Sequence, residues 1–265
     1  MPVHSLLRST RSVTMVGDRS AAGWRAAFRR VKDATQPDDA MCLAAVSSCS
    51  RAGRWQEAIL ILKRMGRSGA GQQTEARMVS PLSRAYTTTM ATCGRARQWR
   101  AALELLRQMD QRGEPPDTHA YNAALGACAR AGKMSEMGML LREMKSGGRR
   151  CAPDTVSFTS LMDGYTRAKQ EAMALRVFDR LPQLGIERDS VSYTSALAAC
   201  ASAGMWKRSL AILEAMESEG LDTSPRAVSS AMTACTNSDQ PAQVCWGGRA
   251  GEGRERRGVR RGGLA

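Results

Sequence analysis

Residues 118–154 read THAYNAALGACARAGKMSEMGMLLREMKSGGRRCAPD and contain two short helical patterns joined at Ala131–Gly132. In the first pattern, the apolar residues Tyr121, Leu125 and Cys128 recur at helical spacing, and the second pattern repeats this from residue 134 to residue 144. A helix of about a dozen residues is marginal in water by itself, and a helical hairpin still leaves one apolar face open. The stretch therefore predicts a hairpin that must pack against similar neighbours.

The same pattern recurs on both sides of this stretch. Complete copies occupy residues 39–82, 83–117, 118–154, 155–189 and 190–224, and partial copies occupy residues 21–38 and 225–243. Three copies are 35 residues long, the central one has 37, and the first is stretched to 44 by an insertion near residues 70–80. A period of 35 residues with two helices per copy is typical of an all-α solenoid of stacked helix-turn-helix repeats.

Certain positions hold the same kind of residue in successive copies. An aromatic residue or its replacement opens the first helix at Cys42, Tyr86, Tyr121, Phe158, Tyr193 and Val228. An apolar residue ends the second helix at Met65, Met109, Met144, Leu181 and Met216. A glycine follows four residues later in most copies, at Gly69, Gly113, Gly185 and Gly220, which predicts a left-handed residue after the helix.

These copies resemble pentatricopeptide repeats. The resemblance lies in the openings HAYN, VSFT and VSYT, in the turns RAGR at residues 51–54 and RAGK at residues 130–133, and in the ends EPPD and APD. It covers residues 39–243, and the tetratricopeptide repeat fits less well because its Trp-Leu-Gly-Tyr pattern is absent. The resemblance implies a right-handed superhelical solenoid that binds single-stranded RNA, with one base recognised per repeat.

Two residues per repeat carry that recognition in the family: the residue after the opening aromatic and the last residue of the repeat. The pairs here are Thr87 with Asp117, Asn122 with Asp154, Thr159 with Asp189, and Thr194 with Ser224. An ionised Asp only accepts hydrogen bonds, so it suits guanine or uracil, whose pairing edges carry an N–H. The resemblance implies G for Thr with Asp and U for Asn with Asp, so the pairs spell G, U, G and one undecided base from 5′ to 3′.

A further residue, two before each opening aromatic, holds the base between neighbouring side chains in the family. Val156 and Val191 fit this role, whereas Arg84 and His119 depart from the usual aliphatic residue but can stack on a base. An alternative remains for the acids, because Asp, Asn and Thr also cap helix N-termini. Asp117, Asp154 and Asp189 are therefore predicted either to recognise bases or only to cap helices.

The charge of the chain points to an anionic partner. The net charge is +14, of which +5 lies in residues 1–30 and +4 in residues 248–265, so the repeats between them carry the remaining +5. A cationic surface favours a polyanion such as RNA. The alternative for the arginine-rich ends is that they are solvated and unstructured.

Metal, disulfide and catalytic chemistry are not indicated. Five cysteines occupy the same position of the first helix and are predicted to be small buried core residues: Cys49, Cys93, Cys128, Cys200 and Cys235. The sequence has no CxxC pair, its two histidines are His4 and His119, and no carboxylate cluster typical of a nuclease is present. We therefore expect no cofactor, no metal and no enzymatic activity in these repeats.

The two ends of the chain carry separate expectations. Residues 1–20 contain Ser, Thr and Arg but no acidic residue before Asp18, and this composition resembles an organelle transit peptide. We expect a chloroplast rather than a mitochondrion, and the alternative is a disordered start of the chain. No apolar run could span a membrane. Residues 244–265 are expected to form a disordered Gly/Arg tail, or the end of a truncated sequence whose missing part is an RNA-processing enzyme. The resemblance implies a role in processing, stabilising or editing organellar transcripts, either by occupying RNA or by recruiting an RNA-processing protein partner. The remaining alternative is a protein-binding scaffold.

Overall fold

The computed structural model describes residues 23–65, 80–147 and 151–238. Across these residues the chain forms twelve α-helices, one 3-10 helix at Pro182–Leu184, and no strand. The helices are α1 (Gly23–Asp33), α2 (Asp39–Arg51), α3 (Trp55–Arg64), α4 (Pro81–Arg95), α5 (Trp99–Gln111), α6 (Thr118–Ala131), α7 (Met134–Ser146), α8 (Thr155–Arg167), α9 (Glu171–Arg180), α10 (Ser190–Ala203), α11 (Trp206–Ser218) and α12 (Pro225–Asn237). The predicted all-α class is confirmed. The predicted transit segment, the insertion up to residue 79 and the Gly/Arg tail lie outside the described residues.

The helices belong to two compact units, which divide between Ala85 and Tyr86 inside α4. In the first unit, α1 packs against α2 and α3, and α2 packs against α3. Arg64 of α3 donates hydrogen bonds to the carbonyl oxygens of Val31, Lys32 and Ala34, at 2.9, 2.6 and 2.8 Å. Because carbonyls in the last turn of a helix have no partner within the helix, the Arg64 guanidinium caps the C-terminal end of α1.

In the second unit the helices form two layers. The first helices stack in one row, with α6 on α8, α8 on α10 and α10 on α12. From α7 onward, a second helix packs on the first helix of its own repeat and on that of the next: α7 contacts α6 and α8, α9 contacts α8 and α10, and α11 contacts α10 and α12. Helix α4 approaches this row at Gly94, where an added Cβ would lie 3.0 Å from the Cα atom of Ala127 in α6.

The apolar residues that the repeat pattern places between the layers form the core. The residues predicted to end the second helices are fully buried in this unit, with 0% exposure at Met109, Met144, Leu181 and Met216. The opening residues Tyr86, Phe158 and Tyr193 are buried as well, whereas Tyr121 and Val228 are half-buried. Each repeat therefore buries its apolar stripe against its neighbours, as a solenoid requires.

The tight turn inside each hairpin depends on one left-handed residue. Three of these residues are glycines, but Arg97 and Lys169 take the same conformation with φ of 57° and 58°. Such a φ is unfavourable for a residue with a Cβ atom, so both positions hold local strain. The left-handed glycines predicted after the second helices are confirmed at Gly113, Gly185 and Gly220, while residue 69 lies outside the described residues.

One first helix begins two residues earlier, relative to its opening aromatic, than α6, α8 and α10 do. The copy placed at residues 83–117 has its first helix, α4, beginning at Pro81. The hydroxyl of Ser80 accepts a hydrogen bond from the backbone N–H of Ser83 at 3.0 Å, and proline is favoured at the first helical position. This cap lengthens α4 by two residues at its start, which the spacing of the aromatic residues alone could not show.

Candidate nucleic-acid interface

The eight residues predicted to recognise bases lie at the beginnings of the first helices. Thr87, Asn122, Thr159 and Thr194 lie within α4, α6, α8 and α10, one residue after the opening aromatic. Asp117, Asp154, Asp189 and Ser224 are the N-cap residues of α6, α8, α10 and α12. Each predicted pair thus consists of a residue within one first helix and the N-cap residue of the next first helix.

All four of these N-cap residues accept a hydrogen bond from the helix that follows them. The Oδ1 atoms of Asp117, Asp154 and Asp189 accept hydrogen bonds from backbone N–H groups three residues ahead, at 2.8, 2.9 and 2.8 Å. The hydroxyl of Ser224 accepts one from Ala227 at 3.2 Å. A carboxylate has two oxygens and about four acceptor sites, so one cap bond leaves acceptor capacity on each acid. Capping therefore does not prevent base recognition.

Asn122 and Asp154 are brought directly together. The Nδ2 atom of Asn122 donates to both carboxylate oxygens of Asp154, at 3.0 Å to Oδ1 and 3.3 Å to Oδ2. The hydroxyl of Ser157 lies 2.6 Å from Oδ1 of Asn122 and 2.9 Å from Oδ1 of Asp154. Burial alone would raise the pKa of Asp154, but hydrogen bonds to its carboxylate from the Ser157 backbone and the Asn122 side chain lower that pKa. Asp154 is therefore held as a carboxylate.

Two other pairs are not joined. The hydroxyl of Thr159 donates to the carbonyl of Val156 at 3.0 Å, and that of Thr194 donates to Ser190 at 2.7 Å. Among the described residues, neither threonine bonds to its predicted partner, Asp189 or Ser224. Thr159 is only 6% exposed, so most of its side chain is buried in the fold.

The residues predicted to hold the bases are all exposed. Arg84 and His119 lie at the surface near the starts of α4 and α6. Val156 is 53% exposed and Val191 is 60% exposed. An exposed valine buries little apolar surface in the fold, and two of them recur at the same position of successive helices, so packing alone does not account for this pattern.

A row of arginines, which sequence reasoning did not single out, follows the first helices. Arg95, Arg130 and Arg167 lie in the last turn of α4, α6 and α8, each nine residues after the opening aromatic. Desolvation lowers the pKa of Arg130, and the neighbouring cations Arg95 and Arg167 lower it further, while Asp163 raises it. Arg95 and Arg167 are therefore both close enough to Arg130 to act on its charge. At the same position of α10 stands Ser202, which donates to Glu171 at 2.8 Å.

The cysteines behave as predicted core residues. Seven cysteines of the described part are free and buried, and they include all five at the shared position of the first helix. Burial raises the pKa of Cys49, Cys93 and Cys200 to about 11 and that of Cys128 to about 12. Within the described residues no cluster of three or more metal-ligating side chains is found, and no helix there is long and apolar enough to cross a membrane.

Several solved structures share this fold. The pentatricopeptide repeat protein PPR10 from maize, solved in complex with an 18-nt psaJ RNA element, is 20% identical, with a TM-score of 0.59 over 91% of this chain and 36% of that one. The PPR domain of A. thaliana protein-only RNase P 1 (PRORP1), in complex with tRNA, is 13% identical, with a TM-score of 0.52 over 71% of this chain and 94% of that one. The nuclear proteinaceous RNase P 2 (PRORP2) of A. thaliana is 14% identical, with a TM-score of 0.52 over 74% of this chain and 41% of that one.

The chain thus spans about a third of PPR10, and likeness at this identity concerns the fold alone. No curated protein matches the chain by sequence. Two family models do match it: the PPR repeat family at residues 81–130 and 153–202, and the PPR repeat at residues 41–69, 119–149 and 191–221. Together these matches run from residue 41 to residue 221 with gaps only at residues 70–80 and 150–152. The chain belongs to the pentatricopeptide repeat family.

Proposed function

We propose that this chain binds single-stranded RNA along the first helices of its repeats and acts by occupying RNA rather than by catalysis. The observation that carries the proposal is a shared register. Successive first helices carry a predicted polar pair and, two residues after the N-cap, an exposed side chain. In three repeats the first helix also ends with an arginine. Repetition of all three features at the repeat spacing suits a ligand that is itself a polymer.

Each feature matches one part of an RNA strand. Short polar side chains such as Asn122 with Asp154 can hydrogen-bond to base edges, and exposed residues such as Val156 and His119 can lie against base faces. The guanidinium groups of Arg95, Arg130 and Arg167 supply positive charge for phosphates. The RNA complexes of PPR10 and of the PRORP1 repeat domain support this assignment, since those proteins share the fold.

The affinity expected from these repeats is bounded. At about 1–3 kcal/mol per stacked base, four repeats contribute roughly 4–12 kcal/mol before the ordering of the RNA is counted. This is sufficient for binding, but a word of four bases is common among transcripts. We therefore propose that further contacts, such as an RNA-processing protein partner, complete the specificity.

The test is titration of single-stranded RNA with wild type, Arg130→Gln and a control, Arg142→Gln. Arg142 is exposed in α7, the second helix of the same repeat, so its loss changes the net charge equally. We expect Arg130→Gln to weaken binding of all RNA sequences and to reduce the slope of log affinity against log salt by about 0.7. Arg142→Gln should retain the wild-type affinity and slope. Equal effects of the two substitutions would contradict the assigned face, and absence of RNA binding would favour the protein-scaffold alternative.

We further propose that the RNA is an organellar transcript, processed, stabilised or edited with this protein bound, in the chloroplast rather than the mitochondrion. The support is the composition of residues 1–20 and the resemblance described above. The full chain fused at its C-terminus to a fluorescent protein should enter the organelle, and the same fusion without residues 1–20 should not. Identical distributions of the two fusions would contradict a transit segment.

A further inference from the structure

We propose that Ser157 is a positioning residue for base recognition, because its hydroxyl fixes the orientation of the Asn122 amide. This inference rests on the proposed RNA binding and identifies a third residue for one base site. Ser157 belongs to α8 and Asn122 to α6, so the site would be built from two consecutive repeats. Neither the polar pair nor the repeat motif assigns a role to Ser157.

The distances determine where the hydroxyl proton lies. The Oγ atom of Ser157 is 2.6 Å from Oδ1 of Asn122 and 2.9 Å from Oδ1 of Asp154, and it accepts from the backbone N–H of Asp154 at 3.2 Å. A hydroxyl has one proton to donate. If that proton pointed at Asp154, Oδ1 of Asn122 would lie 2.6 Å from the serine oxygen with no proton between them, whereas Oδ1 of Asp154 already accepts from the Ser157 backbone N–H and from Nδ2 of Asn122. The proton therefore lies between Ser157 and Asn122.

The neighbouring carboxylate fixes the same orientation from the other side. Nδ2 of Asn122 lies 3.0 Å from Oδ1 of Asp154, and an ionised carboxylate only accepts hydrogen bonds. Rotating the amide by half a turn would place its oxygen against the carboxylate and its NH₂ group against a hydroxyl already used as a donor. Ser157 and Asp154 therefore select one amide orientation together.

Burial makes the constraint from Ser157 effective. The side chain of Ser157 is 0% exposed, and its hydroxyl also contacts the sulfur of Met144 at 3.9 Å. Water cannot replace the serine hydroxyl as a donor to Asn122 without opening the row of helices. Removing the hydroxyl would thus leave the amide oxygen without its donor and would free the amide to rotate.

The fixed amide leaves a defined edge for a base. After its bond to Asp154, the Nδ2 group has one N–H left, and the Oδ2 atom of Asp154 has acceptor capacity left. A donor next to an acceptor is complementary to a carbonyl oxygen next to an N–H, as on the pairing edge of uracil. A rotated amide would present an oxygen instead and would repel the carbonyl of that base.

The next repeat supplies a matched control. Ser192 occupies the same position of α10 and forms the same capping box: Asp189 accepts from its backbone at 2.8 Å, and its hydroxyl accepts from the Asp189 backbone at 2.9 Å. Its hydroxyl, however, donates to the carbonyl of Asp189 at 2.8 Å and not to Thr159. Ser157→Ala and Ser192→Ala therefore remove the same cap contact, and only the first removes a contact to a predicted base-recognition residue.

The experiment measures discrimination between GUG- and GCG-containing oligonucleotides by wild type, Ser157→Ala, Ser192→Ala and Ser157→Thr at fixed salt. We expect the preference for U over C at the second base to fall about fivefold in Ser157→Ala, the effect of losing one hydrogen bond. It should persist in Ser192→Ala and recover in Ser157→Thr. Equal preferences in the two alanine variants would overturn the positioning role. Lack of RNA binding by wild type would overturn the proposed function and this inference with it.

A second readout does not depend on RNA. The chain has two asparagines, Asn122 and Asn237, so the side-chain amide of Asn122 is readily assigned by substitution in ¹⁵N spectra. We expect slow exchange of its protons with water in wild type and in Ser192→Ala, and faster exchange in Ser157→Ala. Unchanged exchange in Ser157→Ala would show that the hydroxyl does not hold the amide.

Discussion

Thr159→Asn should change the base preferred by the third repeat. Thr159 occupies in α8 the position that Asn122 occupies in α6, and the next helix offers Asp189 and Ser192 where Asn122 meets Asp154 and Ser157. An asparagine here could donate to Asp189 and accept from Ser192, as in the preceding repeat. By the family resemblance, the preferred third base should then change from G to U.

The size of the change follows from the contacts exchanged. Thr159 loses a hydrogen bond from its hydroxyl to the carbonyl of Val156, which a helix can tolerate because that carbonyl also serves the helical ladder. The new amide gains one bond to a carboxylate and presents one N–H to the base. At about 1–2 kcal/mol for such a contact, the preference should shift by about 5- to 30-fold.

The assay is a set of titrations of GUG- and GUU-containing oligonucleotides at fixed salt, with Thr159→Val as the control. Valine keeps the shape of threonine and removes its hydroxyl, so it should weaken the G preference without creating a U preference. Thermal unfolding checks that the variants fold, since Thr159 is only 6% exposed. If wild type and Thr159→Asn bind both RNAs alike, Thr159 is a structural residue and the assignment of the pairs is wrong.

Three further predictions concern stability and reactivity. The pKa of Asp154 is lowered in the folded state, so its charge stabilises the fold above the unfolded pKa of about 4. The difference in free energy of unfolding between wild type and Asp154→Asn, measured in urea, should therefore shrink as the pH falls through the folded pKa. A difference that does not change with pH would contradict this. Arg97→Gly should raise the free energy of unfolding by about 1 kcal/mol, because glycine adopts the left-handed conformation without strain, and Gly132→Ala should lower it by a similar amount. Urea unfolding that shows a less stable Arg97→Gly variant would refute the strain at Arg97. The buried thiols of Cys93, Cys128 and Cys200, whose pKa is raised, should react with a maleimide only after unfolding. Rapid labelling of the native protein, detected by mass spectrometry, would show instead that these thiols are accessible.

The repeat period made most of the fold predictable. Apolar residues such as Met109 and Met144 recur at one position and are fully buried there, because each repeat has to cover the face left open by its neighbour. The start of α4 at Pro81 was not predictable from the period. It depends on a local contact between Ser80 and the Ser83 backbone, which the spacing of aromatic residues does not record.

The site was predictable in its members but not in its contacts. The family resemblance pairs Asn122 with Asp154, and the two side chains are hydrogen-bonded in the structure. It could not distinguish Ser157, which bonds to Asn122, from Ser192, which bonds to its own cap residue. The arginine row is visible in the sequence, because Arg130 and Arg167 both lie nine residues after an opening aromatic. Spacing alone, however, does not show whether such arginines form a row along the stacked helices or only belong to the turn of each repeat.

Capping and recognition fall on the same residues, and this limits how the specificity of the chain can vary. Replacing Asp189 or Asp154 by a residue that cannot cap costs about 1 kcal/mol of helix stability, whatever its effect on a base. Ser224 departs from Asp but still caps α12, so this position retains a polar side chain even where the predicted base is undecided. The other residue of each pair lies within the preceding first helix and does not cap it. This position holds Asn122 in α6 and Thr159 in α8, and both helices form. Specificity should therefore change first at the position within the helix, with the cap keeping an oxygen that serves both the backbone and the base.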